Sequence, residues 1–517
     1  RQKEIAVRAA LGAGRGDVAA TFVRESVILG AAGGLLGVAV AAGAVEALVA
    51  FGPQDVPRLH EVTLTPTVLG FAALLSVATG VLLGFLPMTR YSAKAFAGIL
   101  RDGGRGSTAG RSRNRARNAL VVSQLALALV LLVGSGLMVR TVAELRRVEL
   151  GFEPDDVLAA SVRVGDGMAR QDAARFYEEL RTRVAALPGV ETAGVTTQAP
   201  LASGIANGGS FYIESRPRVE GALPPVAMYR AASPGFFESI GIPLVAGREM
   251  TRADMDGTRA VVWVDEYFLD TFLEGEWEGE FLSWSAEEGA AGEPVIREWV
   301  EVVGVVGDVR QTGLREDPGA NAYFPLRAGE LGYPSLTQAT LTVKAQPGQR
   351  PTALAPAIRD EVARLSPQVP VIDVRTMDDV VREAMAGESI TLVLLGIAAG
   401  MALFLGAIGL FGVVSYVVSR RTREIGVRMA LGAQRTQVSA MVLRQGLVVS
   451  ATGVGVGLAA AFGLTRVMES VLYGVSTTDP VTFAVAPALL LGVSVLATWL
   501  PARRAARVDP VESLREE

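Results

Sequence analysis

Cysteine is absent from this chain of 517 residues, and histidine occurs only once, as His60. The absence of cysteine excludes disulfides, thiolate metal sites and cysteine catalysis. A single histidine cannot be assembled into a Ser/His/Asp set, and we interpret His60 as a surface residue of a short loop. No Gly-x-x-x-x-Gly-Lys-Ser/Thr phosphate loop occurs either. The sequence therefore predicts no catalytic site, no cofactor and no metal site, and it indicates that any ATP is hydrolysed on a separate chain.

Charged residues are nearly absent from six long segments of a sequence that is 50% hydrophobic, with a mean hydropathy of +0.35. Each segment is about as long as the roughly 20 apolar residues that a helix needs to cross a bilayer. One such segment is compatible with a buried helix of a soluble protein, but six predict an α-helical transmembrane bundle. The near-absence of carboxylates from them argues against a proton-coupled pump. The predicted spans are residues 26–50, 62–89, 118–139, 389–419, 445–465 and 480–502.

Residues 140–388 have a different character, with 39 Asp and Glu against 24 Lys and Arg. Amphipathic helix patterns alternate there with short strand-like runs, which predicts an α+β domain inserted between two spans. The acidic pair Asp378-Asp379 is expected to open a helix rather than to form half of a metal site. The predicted helices are 171–187 and 352–365, and the predicted strands are 191–197, 302–306, 340–343 and 369–374.

Basic residues are concentrated in segments that alternate with the spans. Residues 90–117 contain eight Lys and Arg against Asp102 alone, and residues 420–444 contain six Arg against Glu424. Because cytoplasmic loops carry the excess of Lys and Arg, these segments are predicted to be cytoplasmic and residues 140–388 to be outside. Residues 90–117 are interpreted as a linker that touches anionic membrane lipid, in preference to a nucleic-acid-binding segment.

One charged segment occurs twice. Residues 421–433 (RTREIGVRMALGA) nearly repeat residues 1–13 (RQKEIAVRAALGA), and each copy precedes a long apolar run. Glu424 and Arg428 are four residues apart, so they share one helix face and are expected to pair, and the apolar residues around them are expected to offer a docking surface. The alternative is an interfacial helix whose basic side faces lipid. The repetition at two equivalent places favours docking of a two-fold symmetric partner.

The repeat divides the chain into two units of unequal length. Residues 1–117 are predicted to be the C-terminal part of a first unit, with a charged helix (1–13), two spans and the basic linker 90–117. The second unit comprises the span 118–139, the outer domain 140–388 and residues 389–517, which carry three spans and the second charged helix (421–433). The chain starts with Arg1 and has no signal-peptide pattern, so we expect a fragment of a protein with four spans in each unit.

The segment Glu424–Ala433, the outer domain before it and the tail Pro501–Pro510 (PARRAARVDP) closely resemble the FtsX/MacB class of ABC transporter permeases. The outer region resembles the MacB-type periplasmic core domain, most specifically at Ser233–Arg248 (SPGFFESIGIPLVAGR) and Val302–Arg310 (VVGVVGDVR). The internal duplication is similar to that of duplicated orphan permeases of the acidobacterial type. The resemblance extends over nearly the whole chain.

The resemblance implies a non-catalytic permease subunit in a bacterial inner membrane, with residues 140–388 extracytoplasmic. A separate ABC ATPase dimer would bind the charged helices, and the spans would transmit its motion to the outer domain for efflux, export or lipoprotein extraction. The residues that the resemblance implies for coupling to the ATPase are Glu4, Arg8, Glu424, Ile425, Gly426, Arg428 and Met429.

Two other functions fit the same sequence. An FtsX-like regulatory scaffold would activate cell-wall hydrolases without moving cargo, and an ATPase-free sensor or adhesion protein would not need Arg428. The expected partners are therefore an ABC ATPase, membrane lipid, and a periplasmic accessory protein or a cell-wall hydrolase, but no nucleic acid. The acidic stretch 274–293 departs from the family pattern, and it is interpreted as a solvated loop because it lacks the spacing of an EF-hand.

Overall fold

The computed structural model describes residues 15–51, 62–85, 108–165, 167–202, 207–216, 223–256, 259–284, 286–288, 294–296, 298–326 and 336–507. These residues form two compact units. One unit contains the described parts of 1–137, 390–470 and 476–517, and the other contains those of 138–389 together with 471–475. The charged segment 1–13, His60 and most of the linker 90–117 lie outside the described residues.

Long apolar helices make up the first unit. Charge-free sequence favours continuous helices here because a helix satisfies its own backbone hydrogen bonds in lipid. One short helix, α11 (Thr422–Ala430), and a 3₁₀ segment, Thr465–Val471, interrupt the series. The helices that begin or lie in this unit are α1 (Arg15–Phe51), α2 (Pro66–Phe85), α3 (Thr108–Leu145), α10 (Ala386–Arg420), α11 (Thr422–Ala430), α12 (Arg435–Leu464) and α13 (Pro480–Ala505).

The six predicted spans are confirmed as helices that are long and apolar enough to cross a membrane. The helices extend beyond several of the predicted limits, because a helix can continue past the apolar region into water. α12, for example, begins at Arg435 rather than at the first residue of the predicted span 445–465. The candidate spans are Ala20–Ala47, Pro66–Gly84, Arg115–Leu145, Ala386–Arg420, Arg435–Val471 and Pro480–Ala505.

Glycines bring α1 and α2 into close contact. A Cβ added at Gly30 would lie 2.7 Å from the backbone oxygen of Ser76, and a Cβ added at Gly80 would lie 2.7 Å from the Cα of Val27. Backbones at this distance leave no room for a side chain, as in other small-residue contacts between membrane helices. Gly33, by contrast, has no atom within 4 Å of an added Cβ and does not lie in this contact.

Glycines on one face of α12 likewise allow close packing against α3. A Cβ at Gly453 would lie 2.8 Å from the Cβ of Leu125, and a Cβ at Gly457 would lie 3.0 Å from the backbone of Ala126, both on α3. Gly396 and Gly400 of α10 have the same four-residue spacing without such a contact, since an added Cβ meets only the Ser135 hydroxyl at 3.9 Å at Gly396 and no atom within 4 Å at Gly400. Spacing alone therefore does not identify the packed face.

The second unit is an α+β domain built on one large sheet. The strands are β1 (Val157–Arg163), β2 (Val190–Thr196), β3 (Gly208–Ser210), β4 (Tyr212–Ile213), β5 (Val226–Ala232), β6 (Leu244–Gly247), β7 (Val261–Asp265), β8 (Phe281–Ser283), β9 (Ala286–Glu288), β10 (Pro294–Ile296), β11 (Val300–Val306), β12 (Asn321–Pro325), β13 (Gln338–Ala345) and β14 (Val371–Thr376).

Twelve of these strands of the described residues join the large sheet, in the order β14-β1-β13-β2-β5-β12-β7-β11-β8-β4, with β3 paired to β5 and β6 paired to β11. The β5–β12 and β7–β11 pairs are parallel, and the other pairs of this sheet are antiparallel.

Helices cover this sheet and complete its cores. Tyr177, Leu180 and Val184 of the first helix and Ile358 and Val362 of a later one pack with strand residues in one apolar cluster. All five are nearly inaccessible to solvent, as their helical spacing predicts. The helices of this unit are α4 (Arg170–Ala185), α5 (Phe236–Ile240), α6 (Arg252–Met255), α7 (Glu266–Phe268, continued by a π turn to Leu273), α8 (Ala355–Leu365, after a 3₁₀ turn) and α9 (Met377–Ala384).

The acidic stretch 274–293 is only partly a loop, so the interpretation as a solvated loop is wrong for part of it. Phe281–Ser283 forms β8 within the sheet, and Ala286–Glu288 pairs with Pro294–Ile296 in a separate two-stranded ribbon. Trp284 follows β8 and stacks on Phe211 with ring centroids 5.2 Å apart. The packing of Trp284 against Phe211 therefore holds in place a segment that its many carboxylates had indicated to be a solvated loop.

The pair Asp378-Asp379 opens a helix, as predicted. Asp379 accepts hydrogen bonds from the backbone nitrogen of Thr376 at 3.1 Å and from its hydroxyl at 2.7 Å. The Thr376 hydroxyl in turn accepts a bond from the Asp379 backbone nitrogen at 3.2 Å, which completes a capping box at the start of α9. The pair is thus explained by helix capping.

Candidate functional site

The second copy of the charged segment folds as the short helix α11 between two long helices. α10 ends at Arg420, and α11 ends in a Schellman motif. The Ala433 nitrogen bonds the Arg428 oxygen at 2.9 Å, and the Gly432 nitrogen bonds the Met429 oxygen at 3.1 Å. Gly432 has φ +95°, a conformation that glycine adopts without strain, which explains the Leu-Gly-Ala sequence at this end of the helix.

Glu424 and Arg428 form an ion pair on the exposed side of α11. Arg428 Nη2 lies 2.7 Å from Glu424 Oε1, and both side chains are about half exposed. An exposed pair at this spacing contributes only about 0.3–0.5 kcal/mol to stability. The fold therefore depends little on these two charges, and both remain accessible to a partner.

Ile425 does not contribute to a docking surface, and in this respect the sequence-based expectation is wrong. Its side chain is 1% exposed and borders a small cavity together with Val414 and Val418 of α10 and with Met441 and Val442 of α12. Burial on this scale contributes about 2 kcal/mol for an isoleucine. Ile425 thus fixes α11 to the two membrane helices beside it.

The remaining apolar residues of this region are distributed on both sides of the helix. Gly426 is buried and Met429 is half-buried, while Val427 is 40% exposed and Leu431 is 83% exposed. The exposed surface of α11 therefore combines the Glu424–Arg428 pair with Val427 and Leu431. The first copy, with Glu4 and Arg8, lies outside the described residues.

Two arginines flank one tyrosine near the start of α11. The guanidinium carbon of Arg117 on α3 lies 4.0 Å from the centroid of the Tyr416 ring, and that of Arg420 lies 5.3 Å from the same centroid. Contacts of this kind contribute about 0.5–1 kcal/mol each when exposed. They join α3 to α10 at the end of the bundle that carries α11.

A buried polar network in the outer domain was not identified from the sequence. Asp265 and Asn321 are at most 1% exposed. Asp265 accepts hydrogen bonds from the Phe268 nitrogen at 2.9 Å, the Asn321 nitrogen at 3.1 Å and the Asn321 side-chain amide at 2.7 Å. The Asn321 side-chain oxygen accepts a bond from Arg230 at 2.8 Å. The feature of the sequence that could have indicated this network is a carboxylate, Asp265, directly after the apolar run Val261–Val264.

Burial is the largest influence on Asp265. It raises the pKa of this carboxyl to about 7, although the hydrogen bonds from Asn321 and Phe268 act to lower the pKa. Asp308, whose own pKa is raised mainly by burial, adds a smaller effect in the same direction. The protonation of Asp265 therefore changes within the pH range in which the outer domain is expected to be folded.

Two family descriptions match the sequence of this chain. The family described as FtsX-like permease C-terminal matches residues 1–96 and 396–510. The family described as MacB-like periplasmic core domain matches residues 118–361. Together they account for the membrane helices and the outer domain.

Several named proteins are similar in sequence to part of this chain. The macrolide export ATP-binding/permease protein MacB of Azoarcus sp. (strain BH72) is 31% identical over 228 residues, which are 42% of this chain and 33% of that protein. The MacB protein of Rhodopseudomonas palustris (strain HaA2) is 28% identical over 309 residues, which are 57% of this chain and 44% of that protein. This chain spans less than half the length of these relatives.

Among solved structures, one match covers part of this chain. It is the crystal structure of the periplasmic region of MacB from Actinobacillus actinomycetemcomitans. The match covers 44% of this chain and 91% of that chain, with 15% sequence identity and a TM-score of 0.28.

The family matches and the six apolar helices of the described residues define a multi-pass inner-membrane permease with an extracytoplasmic domain. The chain belongs to the MacB/FtsX-type ABC permease family.

Proposed function

We propose that this chain couples ATP hydrolysis, carried out by an ABC ATPase on a separate chain, to movement of its outer domain, and that this movement drives export. The observation that supports the proposal is the packing of α11 against α10 and α12. Ile425 is buried beside residues of α10 and α12, while Glu424 and Arg428 stay about half exposed on the adjacent face, where Arg428 Nη1 lies 3.2 Å from the Sδ of Met441 on α12. A partner that displaces α11 therefore displaces both membrane helices through Ile425.

Two continuous helices provide the route to the outer domain. α3 runs without interruption from Thr108 to Leu145, and α10 runs from Ala386 to Arg420. A helix of 35 residues is about 50 Å long, which exceeds the thickness of the hydrocarbon core. Because such helices resist bending, a displacement at the end beside α11 moves the other end as well.

The first copy of the charged segment is proposed to have the same role. Glu4 and Arg8 correspond to Glu424 and Arg428 in the sequence repeat. An ABC ATPase dimer has two equivalent surfaces, so two charged helices match its symmetry. No phosphate loop occurs in these 517 residues, so ATP hydrolysis is proposed to take place outside them. The relatives described above are named ATP-binding/permease proteins.

The names of these relatives refer to macrolide export, which supports efflux of a small molecule or peptide as the work performed. Lipoprotein extraction would use the same coupling with another cargo. The FtsX-like scaffold differs in its partner: it requires a cell-wall hydrolase bound to the outer domain, whereas efflux requires an outer-membrane channel or an accessory protein. Identification of the protein that copurifies with the full-length permease therefore separates these functions.

The coupling role is tested by the ATPase rate of a candidate ATPase reconstituted with the wild-type chain or with Glu424→Ala/Arg428→Ala. We expect the permease to stimulate hydrolysis and the double variant to lose most of that stimulation. The fold should be retained, because the ion pair contributes less than about 1 kcal/mol to stability.

The outer domain supplies a matched control pair. Glu179 and Arg183 on α4 also form an exposed i,i+4 ion pair with a 2.7 Å contact. Glu179→Ala/Arg183→Ala should leave stimulation at the wild-type level. Equal stimulation by all three proteins would overturn the assignment of α11, and the absence of any interaction with an ATPase would favour the sensor function.

A further inference from the structure

A basic cavity lies between α12 and α13, at the same end of the bundle as α11 but separate from it. Its volume is about 280 Å³. Three guanidinium groups and an indole border it, together with one hydroxyl and one leucine. The residues are Arg435, Ser439 and Leu443 on α12 and Trp499, Arg503 and Arg507 on and just after α13.

The helical spacing explains why these side chains meet. Arg435, Ser439 and Leu443 follow one another at intervals of four residues, so they share one face of α12. Trp499 and Arg503 have the same spacing on α13, and the Arg503 guanidinium carbon lies 5.4 Å from the centroid of the Trp499 ring. Among the described residues, no carboxylate forms a salt bridge with Arg435, Arg503 or Arg507.

The cavity is bordered by basic groups, and an exposed apolar surface continues beside it on α13. Arg435, Arg503 and Arg507 are exposed, and the Ser439 hydroxyl is used in a 3.0 Å bond to the Arg435 backbone oxygen. On the same side of α13 but deeper in the span, Trp499 is 53% exposed, Leu496 is 71% exposed and Leu500 is 41% exposed. A ligand that fits must place an anionic group beside the arginines and apolar chains beside the leucines.

We propose that this cavity binds the phosphodiester headgroup of an anionic glycerophospholipid of the cytoplasmic leaflet. Arginine pairs with phosphate through two parallel hydrogen bonds. Tryptophan is enriched at the level of the headgroups, and basic pockets between membrane helices on the cytoplasmic side suit anionic lipids. The exposed leucines lie where the acyl chains would continue into the bilayer. A carboxylate-bearing loop of the ATPase would satisfy the arginines but would leave these leucines uncovered.

The test compares two double variants of the full chain, purified in detergent, by native mass spectrometry with added phosphatidylglycerol or phosphatidylcholine. The pocket variant is Arg435→Gln/Arg503→Gln. The control is Arg444→Gln/Arg504→Gln, which removes two exposed arginines from the same helical regions without altering the cavity lining. We expect the pocket variant to lose at least about tenfold in affinity for phosphatidylglycerol, and the control and the phosphatidylcholine affinities to change little.

Several results would overturn this proposal. Equal losses in both variants would indicate general attraction of anionic lipid to the basic surface, and no loss in either would exclude the cavity. Displacement of the lipid by an equal concentration of inorganic phosphate would identify a site for free phosphate. Unchanged lipid affinity with loss of ATPase binding would assign the cavity to the ATPase. As a second variant, Arg435→Gln alone should weaken phosphatidylglycerol binding in the same direction.

Discussion

The buried carboxyl of Asp265 predicts that the outer domain is less stable at neutral pH than at mildly acidic pH. The pKa of Asp265 is about 7 in the folded protein, against the usual value of 3.8 that it regains on unfolding. A folded-state pKa above the unfolded value means that the folded state holds the proton more tightly. The stabilisation is therefore complete below about pH 4 and is lost as the pH rises through about 7.

The size of this effect follows from the two pKa values. A difference of about 3 corresponds to about 4 kcal/mol between the fully protonated and fully ionised carboxyl. Urea unfolding of a domain of this size has a slope of about 2–3 kcal/mol per molar. The urea midpoint of the outer domain should thus fall by about 1.5 M across this pH range through Asp265 alone.

The variant Asp265→Asn isolates this contribution because it removes the titrating group. Its amide turns an N–H donor toward Asn321, so we expect the variant to be less stable than the wild type at acidic pH, and its own stability no longer depends on this titration. The informative quantity is the difference between wild type and variant. That difference should shrink between about pH 4.5 and about pH 7.5 as the wild-type carboxyl ionises.

Tryptophan fluorescence of the full-length protein in detergent reports this unfolding. Trp263 is buried two residues from Asp265, and its indole nitrogen bonds the Arg248 oxygen at 2.7 Å. A stability difference between wild type and Asp265→Asn that stays constant with pH, or that grows as the pH rises, would refute the reasoning.

Asp254 provides a control of opposite sign in the same domain. Burial acts to raise its pKa, but the bonds from Arg248 at 2.7 and 2.8 Å and from Thr251 outweigh burial and lower the pKa to about 2. Its stabilisation is present above about pH 4 and is lost as the pH falls toward 2. Asp254→Asn should therefore leave the slope between about pH 4.5 and about pH 7.5 unchanged.

Two further predictions concern the membrane helices. Gly80→Leu should destabilise the α1–α2 pair by about 1–3 kcal/mol, because its added Cβ would lie 2.7 Å from the Cα of Val27. Gly70→Leu on the same helix is the control, since an added Cβ there meets no atom within 4 Å. Equal midpoints of thermal unfolding in detergent for these two variants would contradict the packing. Ile425→Ala should reduce the stability of the packing of α11 by about 2–4 kcal/mol and therefore speed the exchange of its backbone amide hydrogens. Val427→Ala, at an exposed position of the same helix, should change this exchange little. Similar exchange in both would mean that Ile425 does not anchor the helix.

The membrane helices were predictable because their signal is local. A run of apolar residues without charge determines that a segment is a helix of membrane-spanning length, whatever its neighbours are. In the outer domain the sequence predicted the helices α4 and α8 and four of the fourteen strands of the described residues, β2, β11, β13 and β14. For example, α8 was expected at residues 352–365 and is Ala355–Leu365 after a 3₁₀ turn, since its apolar periodicity is strong.

Errors arose where the outcome depends on which way a side chain faces. Gly30 and Gly33 are each followed by another glycine four residues later, yet only Gly30 lies at the contact with α2, and the sequence pattern alone does not distinguish the two. Ile425 was expected to face a partner and instead packs between α10 and α12. The rotation of a helix about its axis is set by the helices that pack against it, and a single sequence does not contain that information.

The sequence by itself determined that this protein crosses the membrane, that it carries a domain outside, and that its charged segment can pair Glu424 with Arg428. Each of these follows from residues close together in the chain. Only the tertiary structure decided that Asp265 is buried beside Asn321, since strands β7 and β12 bring together residues that are far apart in sequence. Burial and a shifted pKa are properties of that assembled environment, because the cost of removing a charge from water depends on everything that surrounds it.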